Sequence, residues 1–229
     1  MPASTGESVE RYEARREAAP AVIIASVVWL LLALVSWKEG WELVELRWWT
    51  WLVLAVPGLL LCADLLLGVR RAGFANTRGA SLVLLGVIVL GNLVGVVLLV
   101  AALVTTSGGN LGGGQLLFTA AAIWTANVIV FGMCYWDIDD GGPFERARNE
   151  RSTPDFQFPQ DENPQLAREG WRPQVWDYLF VSLTSATAFS PTDSMPLTLK
   201  AKLLVGVESI VSLVLVVLVT ARAVNVLGS

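Results

Sequence analysis

The chain has 229 residues, 54% of them hydrophobic, with a formal net charge of −4 and no histidine. Its mean hydropathy of +0.58 exceeds what a soluble domain carries, and several apolar runs approach 20 residues, the length of a membrane-crossing helix. The small negative charge and the lack of basic clusters exclude a nucleic-acid partner. Without histidine the commonest general base and metal ligand are missing. Cys62 and Cys134, both inside apolar runs, read as packing residues rather than a zinc site or a disulfide. No cofactor and no enzymatic activity are expected.

In chain order, residues 1–19 form a polar, partly ordered tail. A first span covers 20–37; its acidic leader and the absence of a small-residue cleavage pattern set it apart from a signal peptide. A charged connector, 38–47, meets Trp41, Trp48, Trp49 and Trp51, which mark a membrane surface. The second span, 48–68, contains Pro57-Gly58 and Asp64. The third, 80–105, carries Gly91 and Gly95 in a GxxxG pattern that lets a neighbouring helix approach closely. An uncharged turn leads to the fourth span, 116–136, which carries the small-residue run Ala120-Ala121-Ala122 and ends at Tyr135-Trp136. Asn92, Asn127 and Asn225 are read as interhelical hydrogen-bonding residues.

Residues 137–175 form the one sizeable extramembrane segment, an acidic, Pro-rich connector without periodicity. It is expected to be extended and able to receive a cytoplasmic partner. The remainder, 176–229, consists of a short hydroxyl-rich segment at 176–191 and a last span at 199–226. The fold class is therefore all-α: a polytopic transmembrane helix bundle with about five full spans plus one short or re-entrant membrane segment. With the N-terminus inside, eleven Arg residues of the tail and of the 70–78 and 137–175 connectors fall on the cytoplasmic side, against Lys38 and Arg47 outside. The short segment either crosses, leaving the C-terminus inside, or dips in and returns, leaving it outside. The favoured arrangement is six membrane segments with a short fifth.

Candidate functional residues come from polarity at membrane depth. Asp64 and Glu208 are carboxyls within spans, where ionisable groups face partners or water-filled cavities. Ser182, Thr184, Ser185, Thr187, Ser190 and Thr192 concentrate hydroxyls in the short segment, which ends at Pro191 and Asp193. Non-helical backbone at membrane depth survives where it lines a pathway, so Thr187, Ser190, Thr192, Asp193, Glu208 and Asp64 form a candidate ion pathway.

From Thr187 the sequence Thr-Ala-Phe-Ser-Pro-Thr-Asp-Ser-Met-Pro-Leu-Thr-Leu-Lys-Ala-Lys-Leu is similar to the pore loop and early inner helix of potassium channels. Asp193, Pro196, Thr198 and Lys202 fall in that family's pattern. Both filter glycines are absent, Pro191 stands in their place, and the loop is one residue longer, so potassium selectivity does not carry over. The last fifty residues also resemble an uncharacterised bacterial inner-membrane family of the domain-of-unknown-function type. The resemblance rests on Asp177 to Phe180, Phe189 to Asp193, Lys202, Ser209, Ser212 and Ala223 to Asn225, and implies a multi-pass inner-membrane location without an established activity. Three functions follow as expectations: an ion-conducting pore-loop protein, with one acidic residue per chain of a homo-oligomer; a proton-coupled small-solute carrier using Asp64 and Glu208; or a non-transporting accessory subunit docking a partner through 137–175.

Overall fold

The computed structural model describes residues 5–41, 47–67, 78–104, 113–148, 154–191 and 194–227. The architecture is all-α, with one two-stranded antiparallel ladder. The helices are α1 (Thr5–Glu39), α2 (Trp49–Leu67), α3 (Arg78–Val104), α4 (Gly113–Ile138), α5 (Pro143–Arg148), α6 (Pro159–Glu162), α7 (Val175–Ala188) and α8 (Leu199–Leu227). Strands β1 (Phe156–Gln157) and β2 (Met195–Pro196) form the ladder. Among the described residues, four segments are long and apolar enough to cross a membrane: Ala19–Glu39, Leu85–Val104, Gly113–Gly141 and Leu199–Ala221. In α2 the described apolar stretch, Trp49–Leu60, is shorter than that.

The chain divides into two compact units. The first joins Val22–Val130 to Ile210–Ser229. Its core is a layer of small and large side chains, among them Trp29, Leu32, Trp51, Ala55, Leu99, Ala120, Ile123 and Leu215. Trp29 stacks on Trp51 at 5.9 Å. The GxxxG pattern serves packing within this unit, as expected: a Cβ at Gly95 would stand 3.0 Å from the Trp29 ring, and one at Gly91 would stand 3.3 Å from Leu54. The Asn92 amide donates to Asn127 Oδ1 at 2.8 Å, and the Asn127 amide donates to Ser212 Oγ at 3.3 Å. These are the interhelical bonds the sequence leads one to expect. Asn225 carries a side chain outside the described residues, and so does Cys62.

Opposite this core, α3 turns Val83, Val87, Leu90, Val94, Val97 and Val104 outward. An apolar stripe repeating every three or four residues and facing out is what lipid, rather than water, accommodates. α1 ends at Gly40, in the left-handed conformation at φ +65°, with the Trp41 N–H bonded back to the Ser36 carbonyl at 2.9 Å. This is the closure that caps a helix whose last carbonyls lack partners.

The second unit joins Met1–Ala21 to Phe131–Ser209. The tail is helical from Thr5, in keeping with its run of Glu, Arg and Ala. One sequence expectation is corrected in this unit. The connector is not an extended strand of polar chain. Phe156 and Phe158 are buried, and Phe156 packs on Tyr135 at 5.0 Å between ring centroids. Phe156 and Phe158 each meet Tyr178 edge-on, at 6.1 and 5.4 Å. The aromatic payload of a Phe-Gln-Phe triplet is large enough to hold down a segment whose other residues are polar.

At the end of the chain α7 is the short segment expected from the sequence. α7 has 14 residues, about 21 Å at 1.5 Å per residue, too short for a hydrocarbon core of about 30 Å. It runs parallel to α8: Ser182 meets Glu208, and Ser209 Oγ reaches the Ser185 carbonyl at 3.4 Å. Two parallel neighbours in sequence require the chain between them to come back. It does so through Phe189, which closes α7 in the left-handed conformation (φ +56°), and then through β2. There Phe156 pairs with Pro196 and Gln157 with Met195. The Leu197 N–H bonds the Asp155 carbonyl at 2.8 Å, and Lys200 reaches the Ile138 carbonyl at 3.3 Å. The end of α4, the connector and the start of α8 therefore lie together, and α7 leaves from that level and returns to it.

Close packing makes this hairpin sensitive to volume. A Cβ on Gly132 would fall 2.9 Å from the Leu179 Cα and 2.7 Å from its Cδ2. Backbone cannot yield as a flexible side chain can, so Gly132→Ala should destabilise the protein by about 1–3 kcal/mol. The check is a lower denaturation midpoint in detergent.

Candidate functional site

Glu208 stands nine residues into α8 and is 0% exposed. Its two oxygens have separate partners on separate helices: Tyr135 of α4 donates to Oε2 and Ser182 of α7 donates to Oε1. Both partners are themselves buried. Among the described residues no Lys or Arg pairs with this carboxyl. Chemically the arrangement is a carboxyl held by two hydroxyls, each of which can donate or accept. Cys134, buried beside Tyr135 in sequence, is a free thiol.

A second buried carboxyl organises the connector. Asp139 is 0% exposed; its Oδ1 accepts the backbone N–H groups of Asp155 at 2.6 Å and Phe156 at 3.0 Å, and its Oδ2 accepts the Tyr178 hydroxyl. Asp155, also buried, accepts the Thr198 hydroxyl on Oδ1 and holds Lys200 Nζ at 2.7 Å on Oδ2. Thr198 in turn accepts the Ala201 N–H at 3.4 Å, so the same hydroxyl starts α8 as an N-cap. On α7 the corresponding task falls to Asp177, whose carboxylate accepts the Gln174 N–H at 2.7 Å.

Of the candidate pathway residues whose side chains are described, Glu208 lies in a built polar site. Thr187 is exposed and its hydroxyl donates to the Leu183 carbonyl at 2.8 Å, the back-bond of an ordinary helical threonine. Ser190 is exposed in the bend after α7. Thr192 and Asp193 lie outside the described residues. Asp64 lies within α2, with its side chain outside them. Tyr135, Asp139, Arg146, Asp155 and Tyr178 are site residues that the sequence pattern does not single out as such. The alternation Asp155-Phe156-Gln157-Phe158 was the available signal, since period two in a short extended run marks a buried face. Among the described residues, no group of three or more Cys, Asp or Glu is placed to hold a metal ion.

Fold and site together define an all-α protein with four helices of membrane-crossing length and a buried carboxyl shared by α4, α7 and α8. No family model, curated protein or solved structure matches the chain.

Proposed function

We propose that the chain is a multi-pass membrane protein in which α7 and the returning segment form a re-entrant hairpin and Glu208 binds and releases a proton within the bilayer. The observation that carries this reading is the Glu208 site: a fully buried carboxyl with two hydroxyl partners and no described cationic one. Intramembrane carboxyls that only knit a bundle together pair with a base or sit near an interface. Ser182 and Tyr135 can reorient their hydroxyls, so the same cage accommodates the carboxyl with or without its proton. Among the three expectations this favours the proton-coupled carrier over the pore loop, because the Thr187 hydroxyl is taken up by its own helix. Docking of a cytoplasmic partner through 137–175 is the weaker reading, since Phe156, Phe158 and Val175 of that segment are buried. The site lies within one chain and needs no homo-oligomer.

Charge supports the topology. With the N-terminus cytoplasmic, five crossings and a hairpin that returns to the cytoplasmic side, all but Lys38, Arg47 and Arg222 of the sixteen Lys and Arg residues are inside. Such a bias fits the bacterial inner membrane that the family resemblance implies. The C-terminus is then external.

The test is proton flux into liposomes reconstituted with the purified protein and loaded with a pH-sensitive dye. Glu208→Gln keeps the size and hydrogen bonding of the side chain and removes its titration, and should lower the flux by about a hundredfold. Wild-type flux in that variant would make Glu208 structural. Flux that survives Glu208→Gln and falls in Asp193→Asn would return the pore loop to first place.

A further inference from the structure

Arg146 is 4% exposed, yet among the described residues its guanidinium faces no carboxylate. Its Nη1 donates to two backbone carbonyls, Trp136 at 2.7 Å and Asp139 at 2.6 Å. Its plane lies over the rings of Trp136 and Tyr178, at 5.8 and 5.2 Å. Carbonyl dipoles and ring faces soften the burial of a cation without supplying the opposite charge, and an uncompensated buried charge is costly. The same Arg146 lines an open cavity of about 620 Å³ together with Arg168, Arg172, Trp171 and Gln160. Arg172 is set in place by a bond from Nη1 to the Arg146 carbonyl at 2.7 Å. Glu169, on the same wall, is the one acid among the lining residues, against three arginines.

We propose that this cavity binds a phosphate group, with Arg146 and Arg168 supplying its counter-charge, and that the phosphate belongs to the headgroup of an anionic lipid. The cavity is larger than a phosphate ion needs. Its wall includes Gln174, the residue from which α7 starts. From there Trp176, Phe180 and Leu183 form an exposed apolar stripe along α7, spaced by one turn each. A headgroup in the cavity would lay its acyl chains along that stripe. The buried Gln160 Oε1, which lacks a partner among the described residues, would accept a headgroup hydroxyl. Guanidinium groups suit such a ligand because their fork matches two phosphate oxygens at once. With the connector cytoplasmic, the site would face the leaflet surface where anionic headgroups draw basic residues.

The site is independent of Glu208, and its test needs no transport. The full-length protein in uncharged detergent is titrated with phosphatidylglycerol, with phosphatidylcholine and with millimolar inorganic phosphate, following bound adducts by native mass spectrometry and the thermal midpoint. Phosphatidylglycerol should bind and raise the midpoint, phosphatidylcholine should not, and Arg168→Glu should weaken the binding by about tenfold. Arg168 is exposed, so this variant leaves the core intact. Arg168→Lys should restore most of the lost affinity, because the positive charge returns. A response to inorganic phosphate that depends on Arg168, with none to the lipid, would keep the phosphate site and overturn its lipid source. Binding that is absent, or that is unchanged in Arg168→Glu, would overturn the proposal.

Discussion

Asp139→Ala is expected to cost the protein about 3–5 kcal/mol, because it removes one buried acceptor that serves several hydrogen bonds at once. The carboxylate is inaccessible to solvent and accepts three donors: two successive backbone N–H groups at the start of β1 and the Tyr178 hydroxyl. Alanine would take this acceptor away from all three donors, and a buried donor that loses its acceptor carries a desolvation penalty of about 1–3 kcal/mol where water cannot enter. Asp139→Asn is the informative companion. Its Oδ1 can still serve the two N–H groups, while its amide end confronts the Tyr178 hydroxyl as a donor, which the phenol can meet by accepting. The asparagine variant should therefore retain much of the stability that alanine loses. The measurement is the midpoint of denaturant unfolding in detergent, paired with limited proteolysis between 149 and 175. Equal midpoints for wild type and Asp139→Ala would mean that the connector is held by its aromatic residues alone.

The second large effect is expected at Asp155. One oxygen accepts the hydroxyl that caps α8, and the other meets the Lys200 ammonium. Lys200 is half exposed, so the ion pair itself is worth little, in line with pairs open to solvent. The buried bond to Thr198 matters more, since the same hydroxyl also serves the Ala201 N–H. Asp155→Ala should destabilise by about 2–3 kcal/mol, the loss of a charge-assisted hydrogen bond together with a weakened cap. Thr198→Val, which removes the cap and the donor together, should fall in the same range, and the double variant should cost much less than the sum. Such non-additivity is what two residues acting through one bond produce. Additive losses would show that Asp155 and Thr198 act separately.

The helices were legible in the sequence because their cause is local. Runs of Leu, Val, Ile and Ala near 20 residues long announce α3, α4 and α8 with boundaries within three residues of those observed. Asn92 and Asn127 were legible as interhelical partners for the same reason: an amide in an apolar run has few other ways to satisfy its hydrogen bonds. The connector was not legible. Its composition, rich in Pro and acids, is what disordered segments share, and the residues that fold it are few and distant from their partners. Asp139 meets Tyr178 across 39 positions and Thr198 meets Asp155 across 43. Spacing rules speak of neighbours one or two turns away, so neither pairing could be read from one sequence. The Glu208 site was half legible. Its acid stood out by cost, while Tyr135 lies 73 positions away in sequence and no local rule pairs the two. The return of the chain after α7 was left open because a helix of 14 residues, with a turn of Ser, Pro and Asp behind it, suits a short crossing and a hairpin equally well.

The parallel course of α7 and α8 imposes an order on assembly. β1 waits for β2, and Ser182 for Glu208, until α8 has been made. Until then this region has neither its backbone ladder nor the carboxyl that its buried Ser182 hydroxyl meets. The folding of this region is therefore completed only by the last helix. A chain that stops before α8 would carry a connector without its ladder partner and an α7 without the carboxyl that Ser182 meets.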